Sequence, residues 1–388
     1  MTIVSKGALA AEAAIRVVAE FAEKHLAANG EGADFTFGNP HERPLSGLVD
    51  AIRAAAVPKA NDWFAYKSNV ETAADAVATA LSKDLGLTFG PDDITMTRGA
   101  FSAIALAFDL LLDPGDEAIL PKPGWFAYAP VLASRRYVGV PTLLDPTTYD
   151  LDIQAIERAI TPRTRVVVVN TPHNPTGRIY SRRRLQELAD LLDKASERIG
   201  RRIFILSDEP YRRIRFDGVG FTSPASVYPW VLIDYSYGKI LLSPGQRIGY
   251  LALGPLMPEA DRAALRAVIF PAQTALGWGY PDATMQYAVP DLESLSIDLA
   301  AMQMKRDRML GALRQWGYDM TRPEGTFYLW GKAPGGDSIA FAEAMATRQV
   351  YVMPGTLFDC PKDFRLCLTA TTEMIDQALP VFKEFAGL

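Results

Sequence analysis

Cysteine and histidine are scarce in this chain of 388 residues. The two cysteines, Cys360 and Cys367, are too few for the disulfide framework of a small secreted protein. The histidines, His25, His41 and His173, form no local cluster, and neither residue type shows the spacing of metal ligands. The sequence therefore predicts no metal site and favours a reducing compartment.

The chain also lacks a large excess of charge of either sign, and it lacks long apolar runs. The 40 basic and 45 acidic residues give a net charge of -5, so the chain lacks the positive field of a nucleic-acid-binding protein. No stretch is long and apolar enough to span a bilayer, and the first twenty residues lack the features of a secretory signal. We expect no nucleic-acid partner, no membrane and a cytoplasmic location.

The composition that remains is that of a packed globular protein, with 49% hydrophobic and 22% charged residues. The length suggests two domains, or one large domain with a smaller appendage. Residues 8–29 carry the apolar period of an amphipathic helix that ends at Gly30.

Short apolar runs alternate with helical patterns from about residue 90 to 255, as a parallel α/β fold requires. The predicted strands are 94–97, 117–121, 137–141, 165–170, 202–207, 231–235 and 247–253, and the predicted helices are 100–112, 151–160 and 181–199. Residues 166–169 and 203–206 are apolar without alternation, which places both at the centre of the sheet.

The last third of the chain shows a mixed pattern. A long helical stretch from about 281 to 316 precedes strands near 327–330, 350–353 and 364–368 and a closing helix. This pattern predicts a separate α+β domain.

An asparagine-proline loop follows the strand that ends at Asn170. Two prolines and a glycine fix the path of this loop, which ends in Asn174-Pro175-Thr176-Gly177. On its own, such a turn at a strand end is common and indicates no function.

A carboxylate stands at the end of the next predicted strand. Asp208, in Ser207-Asp208-Glu209-Pro210-Tyr211, lies where ligands of open α/β sheets collect. Asp208 either caps the following element or forms a salt bridge with the protonated ring nitrogen of a cofactor that acts as an electron sink.

A lysine and an arginine follow the strand after that. Lys239, in Ser236-Tyr237-Gly238-Lys239, is the only lysine between Lys194 and Lys305, and Arg247 follows eight residues later. Lys239 is either a surface residue or an imine-forming amine. Arg247 is either a charge at the sheet edge or a phosphate ligand.

These three segments, in this order, resemble the class I/II aminotransferases of fold type I, which are aspartate-aminotransferase-like, over residues 34–370. That family has an N-P-x-G loop, a D-x-x-Y segment and an S-x-x-K segment followed by an arginine. The resemblance implies an α/β fold with a large domain, whose mostly parallel sheet is covered by helices, and a smaller α+β domain.

The resemblance also implies how the chain is divided. Residues 1–45 would form the N-terminal helix and a substrate-covering segment that joins the small domain. Residues 46–285 would form the large cofactor-binding domain, and residues 286–388 the interdomain helix and the small C-terminal domain.

The cofactor implied by the resemblance is pyridoxal 5′-phosphate, held as a Schiff base on Lys239. Once substrate releases it, Lys239 would move the α-proton of the substrate. Asp208 would pair with the pyridinium nitrogen, while Asn174 and Tyr211 would hydrogen-bond the phenolic oxygen.

Further positions match residues that hold the rest of the cofactor in the family. Gly99 and Ala100, at the start of a helix, would bind the phosphate group together with Ser236 and Arg247. Tyr66 would reach the phosphate of the neighbouring subunit, so a homodimer is expected. The residue implied to stack on the cofactor ring is Trp125.

Three matched residues concern the substrate, which the resemblance implies is an α-amino acid with a 2-oxo acid as acceptor. Arg365 would grip the α-carboxylate through a bidentate pair, and Gly38 and Asn174 would help to hold it. Arg98, His41 and Glu42 have no assigned role; for Glu42 a solvated carboxylate is the favoured interpretation.

The chain departs from the family pattern near its phosphate-contacting tyrosine. Asn69 and then Ala73-Ala74 stand where the family has glycine and then Leu-Arg, and Gly238 stands where serine or alanine precedes the lysine.

Transamination is the function that the resemblance favours. The alternative is a non-transaminating enzyme on the same scaffold, which catalyses elimination or replacement, cyclisation, carbon–carbon bond formation or oxidation, since the same cofactor contacts serve both. A cofactor-binding transcriptional regulator is disfavoured, because a single helix precedes the matching region.

Overall fold

The computed structural model describes residues 3–27 and 32–387. The helices are α1 Lys6–Ala27, α2 Ser46–Ala55, α3 Glu71–Leu85, α4 Ala100–Leu111, α5 Tyr128–Ser134, α6 Ile153–Ala159, α7 Arg182–Ile199, α8 Tyr237–Ile240, α9 Glu259–Ala275, α10 Ala283–Leu292, α11 Leu299–Gln315, α12 Ser338–Ala346 and α13 Thr372–Glu384. The predicted end of the first helix at Gly30 lies outside the described residues.

The strands are β1 Ala33–Asp34, β2 Ile94–Thr97, β3 Glu117–Lys122, β4 Val138–Leu143, β5 Thr164–Asn170, β6 Phe204–Asp208, β7 Val231–Ser236, β8 Gly249–Leu253, β9 Tyr328–Lys332, β10 Val350–Tyr351, β11 Met353–Pro354 and β12 Asp363–Cys367. The ends of β2 to β8 and of α4, α6 and α7 lie within two residues of the predicted ends.

A seven-stranded, mostly parallel sheet forms the centre of the fold, in the order β2-β8-β7-β6-β5-β3-β4. Strand β8 runs antiparallel to both of its neighbours, β2 and β7, while the other adjacent pairs of this sheet are parallel. The strands β5 and β6 lie in the middle, and residues 166–169 and 204–206 are buried. Uninterrupted apolar sequence and central position therefore coincide, since these strands are covered on both faces. The predicted mostly parallel α/β sheet is confirmed.

One edge of this sheet gathers the ends of four strands. Asn170 at the end of β5 is in register with Asp208 at the end of β6. Ser236, which ends β7, pairs with Gly249 of β8, and Gly249 pairs in turn with Thr97 at the end of β2. The loops after these strands carry the sequence motifs, so the topology brings the motifs together.

The C-terminal third forms a smaller antiparallel sheet in the order β11-β12-β9, next to a two-stranded pair of β1 and β10. The pair is parallel and joins Ala33 to Val350. The N-terminal segment therefore packs with the C-terminal third of the chain, although the residue boundaries given above for the domains stay a prediction.

The predicted continuous helical stretch 281–316 is wrong in one respect, since it consists of two helices. Between α10 and α11 the polar side chains bond to nearby backbone: Ser294 donates to the Asp291 carbonyl, and Asp298 accepts the Ala301 N–H at 2.9 Å as the N-cap of α11. Such local bonds compete with helix continuation. The predicted strand 350–353 is likewise two short strands with different partners.

The sequence analysis did not identify α2, α3, α5, α8, α9 and α12. Helix α9 buries only Ile269 and Gln273 and contains Pro271, so its apolar stripe is weak. In the part of the chain that the structure describes, no helix has the length and apolar character needed to cross a membrane.

A substitution at Gly249 would test how tightly β8 packs against the turn after β2. A Cβ at Gly249 would overlap the Tyr235 carbonyl oxygen and lie 2.9 Å from Cα of Gly99. We expect Gly249→Ala to lower the free energy of unfolding by about 1–3 kcal/mol, as overpacking does. Urea denaturation would measure this.

Gly311 provides the matched control, because a Cβ there meets nothing within 4 Å in helix α11. Gly311→Ala should leave the stability unchanged or raise it by up to about 1 kcal/mol. Equal effects of the two substitutions would show that the approach at Gly249 is not tight.

Candidate active site

A cavity of about 230 Å³ opens at this edge of the central sheet. Its lining includes Gly38, Ala100, Trp125, Asn174, Asp208, Tyr211, Ser236, Lys239, Arg247 and Arg365, all of which the sequence analysis singled out. The structure thus brings together residues from the N-terminal segment, four strand ends and the small C-terminal sheet.

Lys239 lies on the short helix α8, immediately after β7. Its Nζ is 5.7 Å from the centre of the Tyr211 ring. Removal from water, assisted by the positive charges of Arg365 and Arg247, lowers the pKa of Lys239 to about 8. A lysine of this kind offers a neutral, nucleophilic amine at mildly alkaline pH.

Asp208 ends β6 with its side chain at the cavity. The Tyr128 hydroxyl donates to Oδ2, whereas Oδ1 has no hydrogen-bond donor within residues 3–27 and 32–387. Burial raises the pKa of Asp208, and this rise is opposed by the hydrogen bond from Tyr128 and by the charge of Lys239. A buried oxygen without a donor suits a ligand that brings a proton of its own.

The Asn174 loop is fixed by a side chain of the preceding strand. Asn170 accepts the Asn174 N–H through Oδ1 at 2.7 Å and donates through Nδ2 to the Asp208 carbonyl at 2.9 Å. Asn170 therefore couples the loop to β6. The hydroxyl groups of Tyr211 and Tyr328 are 3.0 Å apart and form a hydrogen bond.

Arg365 is a buried cation in the middle of β12, with 3% of its surface exposed. It donates to Asn174 Oδ1 at 2.9 Å and to the Thr36 carbonyl at 2.7 Å, and its guanidinium carbon lies 4.1 Å from the centre of the Tyr328 ring. No carboxylate among the described residues pairs with it. A ligand carboxylate would supply the missing counter-charge.

A second anion site lies where helix α4 begins. Gly99 precedes the helix with φ of 81°, and a Cβ there would come within 3.0 Å of Arg247 Nη2. Glycine is therefore favoured by the backbone conformation, and a side chain at this position would press against the Arg247 guanidinium. The helix N-terminus, Arg247 and Ser236 form a positive corner of the cavity that suits a phosphate group.

Trp125 forms one wall of the cavity. Its ring contacts Phe101 and Tyr128 edge-on, with a distance of 5.3 Å between centres in both pairs. These contacts hold the indole in place, so that its face is available to a planar ligand.

Tyr66 does not line this cavity. Its surface is 85% exposed, and its ring lies 4.8 Å from that of Tyr280, beside a surface recess that Arg98 and Arg247 also line. Its predicted contact with a neighbouring subunit stays a prediction.

The carboxylate of Glu42 also lies outside the cavity. It pairs with Lys305 at 2.6 Å and is half exposed. The interpretation of Glu42 as a solvated carboxylate agrees with this position.

Sequence reasoning missed several residues of the site. Tyr128, Phe101 and Tyr328 contact predicted site residues, yet their apolar surroundings resemble ordinary core sequence. Asp234 gave a detectable sign, since it is a carboxylate inside the otherwise apolar run of β7.

The chain matches the family "Aminotransferase class I and II" over residues 39–382. It belongs to this family. The aminotransferase is 30% identical over 382 residues to an aspartate/prephenate aminotransferase of Thermus thermophilus, a match that covers 94% of each chain.

Solved structures agree with this assignment. An aminotransferase from Eubacterium rectale superposes with a TM-score of 0.89 at 30% identity and covers 99% of this chain and 98% of its own. A Thermus thermophilus aspartate aminotransferase variant gives 0.83 at 26% identity, with 99% and 100% covered. The predicted fold type I architecture and aminotransferase activity are confirmed.

The pKa of Lys239 predicts how its reactivity depends on pH. In cofactor-free enzyme, modification of Lys239 by an aldehyde should rise about tenfold per pH unit up to about pH 8 and then level off, because only the neutral amine reacts. Reductive trapping at each pH followed by peptide mass spectrometry would measure the profile.

Lys194, which is exposed on α7, is an internal control in the same sample. A Lys239 profile that inflects near the ordinary lysine value of about 10.4 would contradict the effect of burial.

Proposed function

We propose that this aminotransferase binds pyridoxal 5′-phosphate in the cavity and transfers an amino group between an α-amino acid and a 2-oxo acid. One observation carries the proposal. A single cavity contains a lysine of lowered pKa, a buried carboxylate oxygen without a donor, and two arginines without carboxylate partners among the described residues. When bound, the cofactor supplies an aldehyde that reacts with amines and a ring that accepts electrons.

Each part of the cavity fits one part of this cofactor. The free Oδ1 of Asp208 suits the protonated ring nitrogen, and the face of Trp125 suits the ring. Arg247 and the start of α4, with Gly99 and Ala100, suit the phosphate group, together with Ser236.

The phenolic oxygen and the reacting carbon would lie on the opposite side. Asn174 and Tyr211 line this side and would donate hydrogen bonds to the phenolic oxygen. Lys239 would bond through Nζ to the aldehyde carbon of the cofactor, with loss of water. Once the substrate amine has replaced it, Lys239 would take the proton from Cα of the substrate and deliver it to that cofactor carbon. Its lowered pKa keeps the amine able to act as this base.

Arg365 would bind the α-carboxylate of the substrate. Its Nε has no partner among the described residues, and its other two nitrogens are already oriented by Asn174 and Thr36. The backbone of Gly38, at the rim, would close over this carboxylate.

A second copy of the chain would complete the site, with Tyr66 as the donated residue. The Tyr66 side chain is exposed, and it lines the same surface recess as Arg247. In the proposed dimer, Tyr66 would extend from this surface into the site of the neighbouring subunit. An active enzyme that sediments as a monomer would contradict this part of the proposal.

The side chain of the substrate would meet an apolar surface. Beyond the residues to which roles are assigned above, the described lining is Phe37, Phe101, Ile104, Phe126, Pro210, Pro244 and Tyr328, together with Asn170 and Gly238. Among the described residues of this chain, no fourth cation lines the cavity to pair with a second carboxylate such as that of aspartate. We therefore propose an amino donor with an uncharged, apolar side chain.

A spectroscopic half-reaction tests the cofactor and its lysine. Purified enzyme with pyridoxal phosphate should show the visible absorbance of the lysine-bound cofactor. An amino donor should remove it by conversion to the amine form, and a 2-oxo acid should restore it. Lys239→Ala should lose the starting absorbance and the cycle, whereas Lys194→Ala, at an exposed position, should retain both. Full cycling by Lys239→Ala would refute the assignment.

A donor panel tests the apolar side-chain site. Leucine or phenylalanine should exceed aspartate by at least about tenfold in kcat/KM, because an unpaired buried carboxylate costs more than about 1.4 kcal/mol. Phe101→Arg should shift the ratio toward aspartate, while Phe101→Leu should not. Preference of the unaltered enzyme for aspartate would contradict the proposal.

A further inference from the structure

Asp234 is a carboxyl group inside the central sheet, directly beside Asp208. It lies on β7 and is fully buried. The register of the parallel strands β6 and β7 pairs Asp208 with Asp234. Neighbouring strands are about 4.8 Å apart and paired residues project to the same face, so the two side chains are adjacent. On its other side Asp234 faces Leu251 of β8, which offers no polar group.

The hydrogen bonds of this pair are incomplete unless the two groups share a proton. Neither carboxyl oxygen of Asp234, nor Oδ1 of Asp208, has an N–H or O–H donor in the part of the chain that the structure describes. Two buried carboxylates at this spacing repel each other strongly, and one proton between them converts repulsion into a hydrogen bond.

The surroundings indicate which group holds the proton. The ionisable groups that act on Asp234 are Asp208 and Glu209, and Asp234 in turn acts on Tyr128, which donates a hydrogen bond to Asp208. Glu209 accepts hydrogen bonds at Oε1 from Ser207 at 2.8 Å and from Ser223 at 2.5 Å. Its Oε2 has no partner among the described residues, so Glu209 is not hydrogen-bonded to Asp234.

Asp208, in contrast, has groups that favour its ionised form. It accepts from Tyr128, and the charge of Lys239 acts on it. Burial and the neighbouring charges of Asp208 and Glu209 raise the pKa of Asp234 well above its ordinary value. Asp234 is therefore the neutral acid and Asp208 the carboxylate.

We propose that Asp234 is a positioning residue of this aminotransferase: as a neutral carboxylic acid it donates a hydrogen bond to Asp208 and fixes the carboxylate that faces the cofactor ring nitrogen. This inference rests on the function proposed above. A carboxylate that accepts from both Tyr128 and Asp234 is held in one rotamer and is a weaker base. It therefore stays ionised and leaves the proton on the ring nitrogen.

The infrared spectrum of the cofactor-free enzyme tests the shared proton without reference to activity. At neutral pH the unaltered protein should show the carbonyl stretch of a buried protonated carboxyl group. This band should be absent from both Asp234→Asn and Asp234→Leu. A spectrum without such a band, or a band that both variants keep, would overturn the proposal.

Cofactor binding tests the positioning role with the same two variants. Asp234→Asn keeps a neutral donor, so its dissociation constant for pyridoxal phosphate and the pH profile of the bound absorbance should stay within about threefold of the unaltered enzyme. Asp234→Leu has similar size and no donor, so it should bind about tenfold to a hundredfold more weakly, with a shifted pH profile.

The outcomes separate this inference from the proposed function. Absence of cofactor binding in the unaltered enzyme would refute the proposed function, while the infrared band would still report the proton. Binding without the band, or equal damage from both substitutions, would refute the role of Asp234 alone. If Asp234→Leu fails to fold, the infrared band and the behaviour of Asp234→Asn still decide the question.

Discussion

The alignment of parallel strand ends is the constraint on which the site depends. Residues Asn170 and Asp208 are neighbours only because β5 and β6 run side by side in the same direction and end at the same level. The next strand, β7, leads directly into the helix that carries Lys239. A shift of one residue in either register would turn the side chains to the opposite face of the sheet, away from the cavity. The same strand register therefore determines both the packing of the sheet core and the positions of the residues in the site.

Charge within the cavity follows from this geometry. Three cations, Lys239, Arg247 and Arg365, face one carboxylate, Asp208. Arg365 and Asp208 are buried and Lys239 is largely so, whereas Arg247 is exposed. Such an arrangement is costly for the empty protein, because buried like charges are poorly solvated. It becomes favourable when a ligand brings a phosphate at one end and a carboxylate at the other. The cavity is built for a pair of anions and is complementary to them at both ends.

The sequence predicted the central sheet well and the supporting residues poorly. Continuous apolar runs locate β5 and β6 because burial on both faces removes polar alternation, and the ordered motifs indicate which strand ends carry chemistry. Tyr128 and Tyr328 could not be predicted, because tertiary contacts alone distinguish them from core aromatics. Helix α9 was missed since it buries few residues. Asp234 was visible as an anomaly, but its register with Asp208 is known only from the folded sheet.

Arg365 has a consequence for the first forty residues of the chain. Its guanidinium donates to the Thr36 carbonyl, while the Cys367 N–H of the same strand donates to the Phe35 carbonyl at 2.8 Å. The proposed carboxylate ligand and the N-terminal segment thus share one side chain. Attachment of the N-terminal segment changes the binding free energy of a ligand at Arg365. By thermodynamic linkage, the ligand changes the free energy of detaching the segment by the same amount. The N-terminal segment therefore acts on ligand affinity as an allosteric effector would, although it is part of the same chain.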